Sequence, residues 1–132
     1  MYLTITDQDT INSLAINIVH REREVHQYQI NIDNYTTMLA ALPQGEPPAE
    51  ILQYMSTKPE DIPFDVSLEI VQLVADYQYR DRILYLIRTE NIEQSKSKRI
   101  LQSMKAQIPA DQLDALVANA LVQVNAQSAP SA

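Results

Sequence analysis

The chain contains very few of the residues on which several common functional sites depend. Of its 132 residues one is glycine, Gly45, and none is cysteine or tryptophan. Phosphate-cradling loops of the GxGxxG or GxxxxGK type need several glycines, so the sequence excludes them. Without cysteine there is no disulfide framework, no thiolate zinc site and no cysteine nucleophile. The lack of cysteine also fits a reducing compartment.

Long apolar segments are missing as well. No N-terminal stretch has the basic-then-apolar layout of a signal peptide, and no apolar run approaches the ~20 residues needed to span a bilayer. We therefore expect a soluble protein that does not enter a membrane. The expected location is the cytoplasm, or the host cytoplasm or the particle if the source is viral.

The chain offers little that could catalyse a reaction or hold a metal ion. His20 precedes Glu24, and Glu22 precedes His26, by four residues each, a spacing that can bring two ligands to one metal. The two pairs point in different directions, and i,i+4 contacts on a solvated helix surface explain them more simply. No serine, threonine or lysine lies beside a recognisable base. We predict no catalytic residue, no metal site, no cofactor and no enzymatic activity.

Charge is unevenly distributed along the chain. The net charge of −7 argues against bulk binding to nucleic acid or to an anionic membrane. Residues 1–66 carry three basic and ten acidic side chains, whereas residues 67–132 carry seven of each. Contacts between unlike halves of two copies are therefore favoured over like-to-like contacts, although salt weakens the preference.

Residues 65–108 are predicted to form the longest helix. Its start is marked by Pro63 and by Asp65 as a candidate N-cap. Further along, residues 93–99 form a gap in the pattern that contains no apolar side chain. We predict that the helix continues through this gap, and a break near Ser95 to Ser97 is the alternative. The residues on its apolar face recur at steps of three and four, as a helix requires: Val66, Ile70, Leu73, Val74, Tyr77, Leu84, Ile87 and Asn91.

A first long helix is predicted upstream, capped at Thr6 and ended by Pro43. Five apolar residues fall at strict seven-residue intervals, a pattern typical of supercoiling against a partner helix. Arg21, Tyr28 and Tyr35 stand where a parallel dimer prefers leucine. We therefore favour antiparallel pairing with the central helix, together with self-association through the heptad residues, which are Ile11, Ile18, Val25, Ile32 and Leu39.

The remaining segments complete an all-α prediction. Residues 1–5 are expected to be extended, residues 49–56 to form a short connecting helix between two proline-containing loops, and Pro109 to open an amphipathic C-terminal helix. The predicted fold is a long antiparallel, coiled-coil-like helical hairpin in a single domain, residues 1–125. Residues 126–132 are predicted to be a disordered tail.

Two groups of residues are candidate binding sites. Arginines beside tyrosines suit protein contacts, structural ion pairs, or stacking on a nucleotide or a single-stranded nucleic acid. Such a cluster lies on the central helix: Tyr77, Tyr79, Arg80, Arg82, Tyr85 and Arg88. A basic segment follows, either a solvated helix end that complements the dipole or an electrostatic docking strip for an acidic partner: Lys96, Lys98, Arg99 and Lys105.

Three functions fit these observations. The first is a non-enzymatic interaction protein, such as an assembly factor, an adaptor or a small inhibitor of a larger complex, acting as a homo-oligomer and most simply as a dimer. The second is an oligomer that binds or sequesters a nucleotide through the Tyr/Arg cluster at a subunit interface. The third is an acidic nucleic-acid mimic, which the sparse acids already disfavour because mimicry needs dense negative charge. Those acids are Asp7, Asp9, Glu22, Glu24 and Asp33.

Overall fold

The structure is a computed structural model and describes residues 8–128. Over that range it contains four α-helices and no strand, which confirms the predicted all-α fold with a long pair of packed helices. The elements in order are α1 (Gln8–Ala40), α2 (Ala49–Leu52), a 3₁₀ turn (Pro59–Asp61), α3 (Leu68–Lys105) and α4 (Ala110–Ser128). The predicted extended segment at residues 1–5 and the Thr6 cap lie outside the described residues.

Helix α3 begins three residues later than predicted because Ser67, rather than Asp65, caps it. The Ser67 hydroxyl accepts a hydrogen bond from the Ile70 amide at 3.4 Å, and the Ser67 carbonyl accepts the Val71 amide at 3.1 Å. Asp65 instead lies in a turn closed by a bond from the Val66 amide to the Pro63 carbonyl. An N-cap must satisfy free amides of the first turn, and Ser67 is the residue placed to do so.

The boundaries of the two shorter helices also differ from prediction. Helix α2 ends at Leu52, and the chain continues in tight turns in which the amides of Tyr54 and Thr57 bond to carbonyls three residues earlier. Helix α4 extends to Ser128, so the first three residues of the predicted tail are helical. Residues 129–132, the rest of that tail, lie outside the described range.

The described chain divides into two compact units, which we call the terminal unit (residues 8–29 and 92–128) and the middle unit (residues 30–91). In the terminal unit, α1, the end of α3 and α4 pack around a shared apolar core. Ile18, on α1, is fully buried there. The buried members of this core are Ile11, Ala15, Ile18, Val19, Ile108, Ala120 and Val124.

The terminal unit also contains a polar seam between α1 and α3. Gln94 donates to the Val25 carbonyl at 3.3 Å and to Gln29 Oε1 at 3.1 Å, and Arg21 donates to the Ser97 hydroxyl at 3.3 Å. Residue numbers rise on one helix as they fall on the other, so the pair is antiparallel. Helix α3 runs unbroken through residues 93–99, as predicted. Within this stretch, which has no apolar side chain, Gln94 and Ser97 are buried rather than solvated.

The middle unit has a smaller core, built where α2 and the loop after it meet the first turns of α3. Ile51 and Val74 are fully buried, and Ile62 and Tyr77 lie beside them. Half-buried residues of the loop and of α3 surround this core: Tyr54, Met55, Val66, Ile70 and Val71. The α1 residues of this unit contribute the buried Ile32.

Candidate interaction surfaces

The predicted Tyr/Arg cluster is divided between the inside and the outside of the middle unit. Tyr77 is 6% exposed and belongs to the core. Arg80 lies over the Tyr77 ring, 4.8 Å from its centroid, and donates from Nη1 to the carbonyls of Pro43 at 2.8 Å and Gly45 at 2.5 Å. These two residues therefore hold the loop after α1 against α3. Tyr77 is covered in this conformation, whereas Arg80 is half-exposed and bonded to the loop through Nη1.

Gln78, the residue after Tyr77, anchors a second loop in the same way, although no sequence pattern distinguishes it. Its Nε2 amide donates to the carbonyls of Tyr54 at 3.4 Å, Met55 at 3.2 Å and Thr57 at 2.6 Å. Backbone carbonyls carry no residue signature, and glutamine is common in helices. A local pattern therefore could not have distinguished Gln78 from a solvated helix residue.

The other four members of the cluster, Tyr79, Arg82, Tyr85 and Arg88, are exposed. Tyr85 and Arg88 line a shallow depression of about 330 Å³ with Leu84 and the acidic Asp81. A carboxylate in the same depression opposes the approach of a phosphate by like-charge repulsion. The depression thus carries one acidic and one basic side chain, Asp81 and Arg88.

The basic segment is only partly available to a partner. Lys96 pairs with Glu93 at 3.2 Å, one turn before it, and Lys105 pairs with Glu22 of α1 at 3.2 Å. Lys98 and Arg99 are exposed, and neither has an ion pair among the described residues. Surface ion pairs are worth little, so Lys96 remains able to exchange its partner.

The heptad residues predicted to mediate self-association lie largely inside the chain. Ile11 and Ile18 are buried in the core of the terminal unit, and Ile32 is buried in the middle unit. Val25 and Leu39 are half-buried. Packing within one chain therefore covers three of the five heptad residues and part of the other two.

A surface that the sequence did not single out surrounds the start of α3 in the middle unit. Phe64 is fully exposed, Leu68 is 85% exposed, and Leu73 is also exposed. Leu68 and Leu73 line a shallow depression of about 690 Å³ together with Glu69. Asp65, next to Phe64, is exposed as well. We call these five residues the acidic apolar surface.

A second surface with apolar and charged residues lies on α3 in the terminal unit. Ile92 is 50% exposed and Ile100 is 45% exposed. Lys96 and Arg99 are exposed, and their positions four and seven residues after Ile92 place them on the same side of the helix. We call these four residues the basic apolar surface.

The His/Glu pairs on α1 are occupied by other contacts. Glu22 pairs with Lys105, and Glu24 accepts from Arg21 at 2.9 Å and from the Tyr28 hydroxyl at 3.3 Å. Among residues 8–128, no cluster of three or more histidine, aspartate or glutamate side chains is arranged to hold a metal ion. Within the same range, no helix combines the length and the apolar character needed to cross a bilayer.

Comparison of the chain with protein-family models, with characterised proteins and with solved structures found no match. The exposed surfaces of the two units are therefore the features that point to a function.

Proposed function

We propose that the protein is a non-enzymatic interaction protein, of the kind that serves as an assembly factor, an adaptor or a small inhibitor of a larger complex. One observation carries the proposal. Phe64 and Leu68, two large apolar side chains close together in sequence, are left almost entirely in solvent.

Their exposure is not explained by the fold of the middle unit. The core of that unit closes around Ile51, Ile62, Val74 and Tyr77 without them. Transfer of a large apolar side chain out of water is favourable by roughly 1.5–3 kcal/mol. Two such side chains at one surface are therefore a substantial source of free energy for binding a partner.

The surroundings of these side chains resemble a protein interface. Asp65 and Glu69 are exposed next to Phe64 and Leu68 in the sequence, and the depression beside Leu68 is shallow rather than enclosed. Protein interfaces combine an apolar centre with a polar rim, whereas small-molecule sites are concave and bury most of the ligand. The acidic apolar surface resembles a protein interface rather than a small-molecule site.

Photo-cross-linking in the native cell tests the proposal. A photoreactive phenylalanine analogue replaces Phe64, and a control variant carries it at Asn34, an exposed polar residue of α1 in the same unit. We expect position 64 to yield a discrete cross-linked product of higher mass, and position 34 to yield much less. Equal yields at the two positions would contradict the proposal.

A further inference from the structure

The acidic apolar surface lies in a segment that contains no positive charge. Between Pro59 and Tyr79 every charged residue is acidic: Glu60, Asp61, Asp65, Glu69 and Asp76. Asp65 and Glu69 are exposed and have no ion pair among the described residues. An apolar partner surface that carries positive charge would neutralise these carboxylates while it covers Phe64 and Leu68.

The basic apolar surface has the complementary composition. Between Lys96 and Lys105 every charged residue is basic. Lys96 lies four residues from each of Ile92 and Ile100, so each isoleucine has a cation about one turn away on the same side of α3, and Arg99 lies seven residues after Ile92. Lys98 lies roughly 200° around the helix from Lys96 at 3.6 residues per turn, and so points away from this surface.

We propose that the acidic apolar surface of one copy of this chain binds the basic apolar surface of a second copy. The inference rests on the proposed interaction function and names the partner. Asp65 and Glu69 face Lys96 and Arg99 across the contact, while Phe64 and Leu68 pack against Ile92 and Ile100.

Contact between unlike surfaces is favoured over contact between like ones. Two acidic surfaces brought together would oppose carboxylate to carboxylate, and two basic surfaces would oppose cation to cation, and both arrangements disfavour association. The contact can be made twice in a two-fold dimer. Made head to tail, it closes into a ring or extends into a chain of copies.

Two charge-reversed variants test the pairing directly. Asp65→Lys with Glu69→Lys makes both surfaces basic, and Lys96→Glu with Arg99→Glu makes both acidic. We expect wild-type protein to associate and each variant alone to associate at least about tenfold more weakly, because like charges then meet. An equimolar mixture should recover association, since each contact again joins opposite charges.

The mass in solution is measured by light scattering after size exclusion, with circular dichroism to check that each variant is helical. The expected result is a mass near the 15.0 kDa of a single chain for each variant, and at least twice that mass for the mixture. If a charge-reversed variant does not fold, the neutral pairs Asp65→Asn with Glu69→Gln and Lys96→Gln with Arg99→Gln should each weaken wild-type association.

Two controls separate the pairing from general electrostatic attraction. Glu46→Lys with Asp114→Lys changes the net charge as much as the acidic-surface variant does, but at exposed residues elsewhere. Because both surfaces stay intact, this variant should associate on its own as wild type does. Lys98→Glu should associate as wild type, whereas Arg99→Glu should not.

A monomeric wild-type protein, a mixture of the two charge-reversed variants that does not associate, or an equal loss of association in the Glu46→Lys, Asp114→Lys control would overturn the inference. The proposed function is tested independently of the pairing between copies. If the mixture stays monomeric while position 64 still cross-links to a different polypeptide in cells, the interaction function stands and the second copy is not the partner.

Discussion

The terminal and middle units hold their helices together by different means. In the terminal unit, three helices interlock around a core supplied by α1, α4 and the end of α3. In the middle unit, the core joins a four-residue helix and a loop to one face of α3, and Gln78 and Arg80 reach from α3 to the carbonyls of two loops. The terminal unit has such a bond between two helices, from Gln94 to the Val25 carbonyl, whereas in the middle unit these bonds join a helix to two loops.

The difference between the elements that cover α3 in the two units also explains where the exposed apolar residues concentrate. A short helix and a loop cover only one face of the first turns of α3, so Leu68 and Leu73 on other faces remain in solvent. Helix α3 in the terminal unit is covered by α1 and α4 on its inner side. The middle unit is therefore the part of the chain with the most apolar surface left for a partner.

The largest expected effect on stability comes from truncating one buried isoleucine in each core. Ile18→Ala and Ile51→Ala remove fully buried side chains, and each should cost ~2–5 kcal/mol of unfolding free energy. We expect Ile18→Ala to lower amide-exchange protection in α1 and α4, and Ile51→Ala to lower it in α2 and the start of α3. Val122→Ala, at a 68% exposed residue of α4, is the control and should change little. Identical protection patterns in both core variants would contradict a separate core in each unit.

An intermediate effect is expected from removing the Arg80 guanidinium. Arg80→Ala loses two charged hydrogen bonds to loop carbonyls and the contact with the Tyr77 ring. Water can replace part of these interactions at the exposed loop, so we expect a loss of about 2 kcal/mol in chemical denaturation. Arg82→Ala, an exposed neighbour on α3, should shift stability by no more than ~0.5 kcal/mol. Equal losses would mean that Arg80 does not secure the loop.

The smallest effect on stability is expected at the acidic apolar surface. Phe64→Ser and Leu68→Ser replace side chains that bury almost nothing within the chain, so unfolding free energy should change by no more than ~0.5 kcal/mol each. The same substitutions should reduce association of the purified protein. A loss of stability comparable to that of Ile51→Ala would place these residues in the core of the middle unit and remove the basis for an interaction surface.

Much of the fold could be predicted because helix periodicity and proline positions are local signals. The apolar face of the central helix, the seven-residue repeat of α1 and the role of Pro109 at the start of the last helix all depend on residues close in sequence. The sequence alone does not distinguish Asp65 from Ser67 as the cap of α3, because both are good N-cap residues. The turn that holds Asp65 outside the helix is visible only in the structure.

The candidate sites were harder to predict because residue type does not determine exposure. Tyr77 and Tyr85 have the same side chain on the same helix, yet Tyr77 is in a core and Tyr85 is 67% exposed. The same applies to Arg80, which holds a loop, and Arg88, which is exposed. No sequence pattern distinguishes Phe64, because a single aromatic residue in a loop carries no periodic signal.

The sequence by itself determined that this chain folds into helices, roughly where they begin and end, and that its charge is divided between an acidic first half and a balanced second half. These properties follow from spacing and composition, which are local. Only the tertiary structure decided that Gln78 and Arg80 secure loops, that Gln94 and Ser97 lie in a buried seam, and that Phe64 and Leu68 stay in solvent. Those outcomes depend on which segments distant in sequence come to cover a given face of α3, and no local pattern contains that information.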